Sequence, residues 1–314
     1  MSTATIHYLV RSAYAYTLTE WIDSYSAWKP RIRIVPYESL GGWLGPGVFV
    51  FTDLERLSPP LRRRAAAVRE AAMRAGCPVQ NDPLRSMGRF DLQQVLSNDF
   101  RVHRAEGGDA SMLSDVRFPV FLRDEDEHGG QSELIRDRTR LERALAKRPG
   151  SLVVEFLDTS DANGLFRKYA ATRIGDALFA RHLFYNRRWK VRQARVFGEE
   201  LAREELDYVR DFPHREEVAA AFEKARIEFG RIDYAFYEGR LPIWAINTNP
   251  HLKTAVLSTN DHGREAHALA DAYVDRAFEA LLAKVPADAE RVWCGSRLRA
   301  AAGAMRTGRP RIRR

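Results

Sequence analysis

The sequence predicts a mixed architecture, α/β plus α+β: a parallel α/β domain at the N-terminus followed by two α+β subdomains. Three observations lead there. Strand-like and helix-like runs alternate through residues 1–85, the pattern of a parallel sheet with helices on its faces. Two apolar runs, "FPVFLR" and "LVVEFLD", bracket a helical stretch between about 105 and 185 and lead into a long hairpin pattern around Gly175 and Asp176. A second hairpin, "GRIDYAFYEGRLPIWAINTNP" (residues 230–250), lies between two helical stretches in the remainder. The expected division is 1–85 as the N-terminal domain, 86–185 as a small subdomain with a helix, 186–290 as a C-terminal subdomain, and 291–314 as a basic, disordered tail.

In the first domain the strands are "IHYLV", "RIRIVP", "GVFVFTD" and "CPVQN", and the helices are "AYTLTEWIDSYSAW" and "PPLRRRAAAVREAAMRAG". The second helix opens on two prolines, tolerated in a first turn because those N–H positions lack intrahelical acceptors, and it stops at Gly76. Then follow "FPVFLR", the glycine-containing loop "DEDEHGG", the helix "QSELIRDRTRLERALAK", the strand "LVVEFLD" and the hairpin "KYAATRIGDALFARHLFY". The last region holds the helices "REEVAAAFEKARIEF" and "GREAHALADAYVDRAFEALLAK" on either side of the 230–250 hairpin. No internal repeat is visible.

A chain of 314 residues can bury a large core, and 45% apolar with 29% charged residues and no run of eighteen apolar residues excludes a helical membrane protein. The N-terminus lacks the charged and apolar regions of a secretory signal. Cys77 and Cys294 form neither a metal-spaced cluster nor a disulfide framework, which fits a reducing cytoplasm. The net charge of +8 comes almost wholly from "GSRLRAAAGAMRTGRPRIRR", with seven arginines and no acidic residue. The folded body is therefore near neutral, and nucleic acid is expected as a partner only through that tail.

The second hairpin brings oxygen-bearing side chains together. Asp233 lies on its first strand, and Asn247 and Asn249 end the second, an arrangement that suits a hard cation such as magnesium holding a phosphate-bearing substrate. Alternation from Asn247 places Ala245 on the same face, where another carboxylate would be expected. In the first hairpin a two-residue turn at Gly175 and Asp176 would set Ala170 opposite Arg181 with Lys168 on the same side, leaving Arg173 and His182 on the other face.

A strand ending in Arg123 before "HGG", the strand "VVEFLD" and "GRIDYAF…INTNP" occur in an order that resembles the ATP-grasp family, most closely the branch similar to the glutamate ligases that modify ribosomal proteins. The resemblance spans roughly residues 80 to 255. It implies a pre-grasp α/β domain followed by a two-subdomain ATP-grasp fold, with ATP and Mg2+ as cofactors. The implied activity is a ligase that activates a carboxylate as an acyl phosphate for attack by an amine or similar nucleophile, the acid and the nucleophile being unidentified. Residue by residue, it implies phosphate contacts at Arg123, Arg89, Lys168 and Arg181, with Arg123, Lys168 and Arg181 taking part in catalysis. It implies a mobile loop at His128, Gly129 and Gly130 over the triphosphate. The nucleotide base would bond the backbone of Glu155, Phe156 and Leu157, and Asp158 would take the ribose hydroxyls. Asp233, Asn247 and Asn249 match metal-binding positions, and Ala245 stands where the family has a bridging glutamate. That substitution leaves open a nucleotide-binding pseudo-ligase acting as sensor or scaffold, and the charge of the basic tail leaves open an RNA-binding protein.

Overall fold

The computed structural model describes residues 4–96, 100–105, 113, 115–125, 130–253 and 260–295. Of the expected features, His128 and Gly129, with residues 126 and 127 of the same loop, and the arginine-rich tail beyond 295 lie outside the described residues. Among those described, no helix is long and apolar enough to cross a membrane.

The N-terminal unit runs β1 (Thr5–Val10), α1 (Tyr16–Ser24), β2 (Ile32–Pro36), β3 (Trp43–Leu44), β4 (Gly47–Phe51), α2 (Pro59–Arg74) and β5 (Val79–Gln80). Four of these strands form a parallel sheet in the order β2-β1-β4-β5. Its central strands are buried on both faces, as the near-continuous apolar runs "IHYLV" and "GVFVF" require. Helix α2 lays Ala65, Val68 and Ala72 against one face, with Leu9, Phe49 and Phe51 beneath. The helix stops where Gly76 takes a φ of 72°, as the sequence indicates.

Next come α3 (Arg89–Leu96), β6 (Val102–Arg104), β7 (Val120–Arg123), α4 (Arg138–Lys147) and β8 (Leu152–Glu155), the strands forming a three-stranded antiparallel sheet in the order β6-β8-β7. Helix α4 is shorter than the expected 131–147. Ile135 is still bridged to Val120, and Asp137 caps the helix by accepting from the Arg140 N–H.

The chain continues with β9 (Phe166–Ile174), β10 (Ala177–Asn186), α5 (Glu199–Asp211), α6 (Arg215–Ala225), β11 (Phe229–Tyr234), β12 (Ile243–Asn247), α7 (Asp261–Ala283) and β13 (Val292–Trp293). The long hairpin joins the later one in a single antiparallel sheet, β10-β9-β11-β12. The long hairpin, expected within the 86–185 subdomain, thus joins the sheet of the later strands, β9 pairing with β11 from Tyr169 to Ile174. One face of this sheet packs on α5 and α6 through Leu183, Tyr185, Leu206, Val209 and Phe222. Helix α7 contributes to that core and, through Val274, Phe278 and Leu281, to the core beneath β1 and β4. Strand β13 returns to pair with β3.

Asn81 joins the N-terminal sheet to the sheet that follows. It is 1% exposed and sits at φ 65°, a left-handed conformation that asparagine tolerates better than most residues. Its Nδ2 donates to the carbonyls of Phe51 and Phe229, both at 2.9 Å, while its Oδ1 accepts from the N–H groups of Glu228 and Phe229 at 2.8 and 3.0 Å. Its own N–H donates to the Glu228 carboxylate at 2.7 Å. The side chain thus satisfies otherwise stranded backbone groups at the ends of β4 and β11. Asn81→Ala leaves several of them buried without partners, and the expected loss is on the order of 3–5 kcal/mol, read from the urea midpoint. A loss under about 1 kcal/mol would mean that water or a side chain replaces the amide without penalty.

Candidate nucleotide cleft

A cleft of about 280 Å³ lies between the three-stranded sheet and the β9–β12 sheet. Alternation along β7 sends Val120 and Leu122 into the core under α4 and turns Phe121 and Arg123 to the cleft. Phe156, Leu157, Trp189 and Val191 continue an apolar wall, with the Trp189 ring 4.8 Å from Phe121 and 5.5 Å from Phe156. The opposite wall carries Lys168 on β9, Arg231 and Asp233 on β11, and Ala245 and Asn247 on β12. Arg192 closes one side.

Charge in this cleft is unbalanced. Arg123 is 9% exposed, and its Nε has no hydrogen-bond partner. Burial pushes its pKa well below the usual arginine range, with Arg89 and Arg192 adding to the effect and Asp233 opposing it. Asp233 accepts from Arg231 Nε at 3.1 Å through one oxygen and from Lys168 Nζ at 3.5 Å through the other. Burial alone would raise the Asp233 pKa, but the charges of Arg231 and Lys168 outweigh it and hold the carboxyl well below its usual range. A buried guanidinium with an unpartnered Nε is costly, and an anion entering the cleft would relieve it.

No family model and no curated protein matches the sequence. Solved structures do match the fold. The D-alanine–D-alanine ligase of Bacillus anthracis superposes with a TM-score of 0.53 at 12% identity, covering 90% of this chain and 98% of that one. The same enzyme complexed with ATP gives 0.50 at 12% identity and the same coverage. The ATP-grasp ligase PsnB, complexed with a minimal precursor, gives 0.51 at 12% identity over 90% of this chain and 99% of its own. The chain has the ATP-grasp fold. At such identities the likeness establishes the fold, and the chemistry of this ATP-grasp chain has to be read from its own residues.

Of the residues singled out from sequence, Arg123, Lys168, Asp233, Ala245, Asn247, Phe156 and Leu157 meet in the cleft. Arg89 opens α3 and donates from Nε to the Asp124 carbonyl at 3.4 Å, near enough to Arg123 for their charges to interact. Gly130 takes a φ of 77°, and a Cβ there would come within 2.6 Å of the Asp124 carboxylate, so only glycine fits. Asp158 is exposed at the outer edge, its Oδ1 held by the N–H and hydroxyl of Ser160.

Three expectations need correction. Arg181 does not line the cleft. A register shift between Ala180 and His182 makes Arg181 the extra residue of a bulge, so His182 lies opposite Ala170 and joins the face that carries Lys168. The Arg181 guanidinium instead holds Asp271 on α7 and the Leu252 carbonyl. Asn249 is not placed as a metal ligand, because its Oδ1 accepts from the hydroxyls of Tyr8 and Thr17, both at 2.7 Å, and so ties β12 to the N-terminal domain. The Glu155 N–H, expected to be open to the base, already donates to the Arg101 carbonyl at 2.9 Å, and the side chain is bound by Arg101, Arg117 and His103.

The described residues do not by themselves make a magnesium site. Among the described residues no three His, Cys, Asp or Glu side chains converge. Among the described residues Asp233 is the one carboxylate lining the cleft, and both its oxygens already face cations. Ala245 lies directly across the ladder from it with nothing to offer a metal. Asn247 remains as a single amide, and its Oδ1 already accepts the Asn249 N–H at 2.8 Å. Magnesium requires a near-octahedral oxygen shell, and one clamped carboxylate with one engaged amide does not anchor it.

Sequence reasoning missed Arg231, Arg192 and Trp189. Arg231 was accessible by alternation, standing two residues before Asp233 on the same strand face. Arg192 and Trp189 come from the irregular "RRWKVRQAR", where no periodicity assigns a direction.

The Glu155 cluster generates a pH prediction. Burial would raise this carboxyl, but hydrogen bonds from Arg117, His103 and Arg101 outweigh it and bring the pKa from 4.5 down to about 2. A carboxylate depressed in the folded state contributes stability above its unfolded pKa and loses that contribution as pH falls from 4.5 towards 2. Glu155→Gln should therefore flatten the acid limb of a Tm-versus-pH curve over that window. An unchanged acid limb would show that the cluster contributes nothing to acid sensitivity.

Proposed function

We propose that this chain binds ATP in the cleft and is of the carboxylate-activating ligase kind. The observation that carries the reading is the pairing of an apolar, aromatic wall with a buried Arg123 whose Nε has no hydrogen-bond partner. The fold, shared with a ligase complexed with ATP, supports it. In this reading the base lies against Phe121, Phe156 and Trp189, its edge meets the backbone near Leu157, and the phosphates run towards Arg123, Lys168 and Arg231. The Phe156 N–H is already donated to the Pro119 carbonyl, so the base is read by the backbone groups that follow it. Transfer would form a bond from a carboxylate oxygen to the γ-phosphorus as the bond to the β–γ bridging oxygen breaks and ADP leaves. An amine or similar nucleophile would then displace phosphate from the acyl carbon. Lys168, Arg123 and Arg231 would position and neutralise the phosphates, with Arg231 taking the place first expected of Arg181. Two free, buried cysteines fit the cytoplasmic location expected from sequence.

A second reading, binding without turnover, is favoured by Ala245 facing Asp233, since in-line phosphoryl transfer depends on charge neutralisation at that point. Both readings require the nucleotide. Trp189 and Trp244 line the cleft, so ATP should change tryptophan fluorescence saturably. Arg123→Ala should weaken that response about tenfold or more, the usual scale for a lost charge-assisted contact. No response at millimolar ATP would end the nucleotide reading, and ADP release with a panel of amino-acid and small carboxylate substrates separates the ligase from the non-turning-over form.

A further inference from the structure

The cleft is poor in metal ligands and rich in fixed positive charge, and both properties reside in the same few side chains. Six cations line it. Arg167 is taken by Asp161 and Glu204, and Lys190 by Glu133. Four remain among the described residues, Arg123, Lys168, Arg192 and Arg231, against the carboxylate of Asp233, so the described lining carries a net +3. Ala245 and Ala170 lie across the ladder on the two sides of Asp233, and neither supplies an oxygen.

We infer that this cleft binds a polyphosphate anion without needing a divalent cation, with Lys168, Arg231 and Arg123 supplying the neutralising charge. The inference rests on the nucleotide reading above and adds that the bound species is the metal-free anion. ATP carries about four negative charges near neutral pH, comparable in size to the charge the lining offers. A divalent ion entering the cleft would face those cations and would have to displace Lys168 or Arg231 from Asp233 to reach an anionic ligand. An anion does the reverse. It gives the Arg123 Nε an acceptor and lets Lys168 and Arg231 turn donors from Asp233 to phosphate oxygens, keeping each charge paired. Arg231 sits between Asp233 and the end of β12, at register with Asn247, so its guanidinium reaches the side of the cleft that Ala245 leaves unoccupied by a carboxylate.

The test is calorimetry on the full chain with a non-hydrolysable ATP analogue and with inorganic tripolyphosphate, each with EDTA and with millimolar magnesium. Both probes are expected to bind in EDTA, with magnesium changing each Kd by less than about threefold. Arg231→Gln should weaken binding in EDTA about tenfold, and Ala245→Glu should create magnesium dependence by adding a second carboxylate beside Asp233. Thermal melts of each variant confirm that it is folded. A loss of about tenfold or more when magnesium is removed from the unmodified chain overturns the inference while leaving the nucleotide reading intact. Tripolyphosphate binding in EDTA with no binding of the ATP analogue defeats the nucleotide reading and supports the metal-free anion site. Binding of neither probe under any condition overturns both.

Discussion

The amide of Asn81 holds two sheets together at the point from which the cleft is built. It bonds backbone at the ends of β4 and β11, so the first residues of β11 cannot shift relative to the N-terminal sheet without breaking several buried hydrogen bonds at once. From that fixed start, strand alternation alone determines that Arg231 and Asp233 face the cleft while Ile232 and Tyr234 enter the core under α5 and α6. Asn249 performs the same service at the far end of β12, with Tyr8 and Thr17 bound to its oxygen. Two asparagines thus set the register of the wall that carries the charge.

That wall sets function against stability. Lys168 and Arg123 are pushed below their usual pKa ranges by burial, which means that their charged forms are held at a cost the rest of the fold must offset. His182 shows the same pressure on the same face. Both its ring nitrogens lack partners, and burial, reinforced by Arg231 and Lys168, keeps it neutral. Sites that retain unpaired buried cations are commonly those where a ligand completes the balance, and here the deficit is of negative charge.

Much of the fold was legible in the sequence because the decisive segments are strongly patterned. "IHYLV" and "GVFVF" are apolar apart from His7 and Gly47 and became the central strands of the parallel sheet, and the double proline and Gly76 bounded α2. Helix α5 escaped notice because its buried positions, Ala202, Leu206 and Val209, are interleaved with seven charged residues, and its apolar stripe includes a buried glutamate. In the cleft, Asp233, Asn247 and Ala245 followed from alternation. Arg181 and His182 were exchanged because one residue of bulge reverses everything beyond it, and no residue type in "LFARHLF" announces a bulge. Asn249 was misassigned because a buried amide that bridges domains and one that binds metal have the same one-letter code. Only the position of Tyr8 and Thr17, more than two hundred residues away, separates them.

Helix α7 supplies Val274, Phe278 and Leu281 to the core under β1 and β4, although it is made more than two hundred residues after β1. During synthesis the first strands would therefore emerge long before the helix that covers them. Trp21 and Trp28 belong to the same cluster and would wait with them. The N-terminal domain looks self-contained along the chain, but it is completed from the other end. A ribosome-bound nascent chain would carry that apolar sheet face uncovered for most of its synthesis, which makes the early segment the natural client of whatever shields hydrophobic surface in the cell.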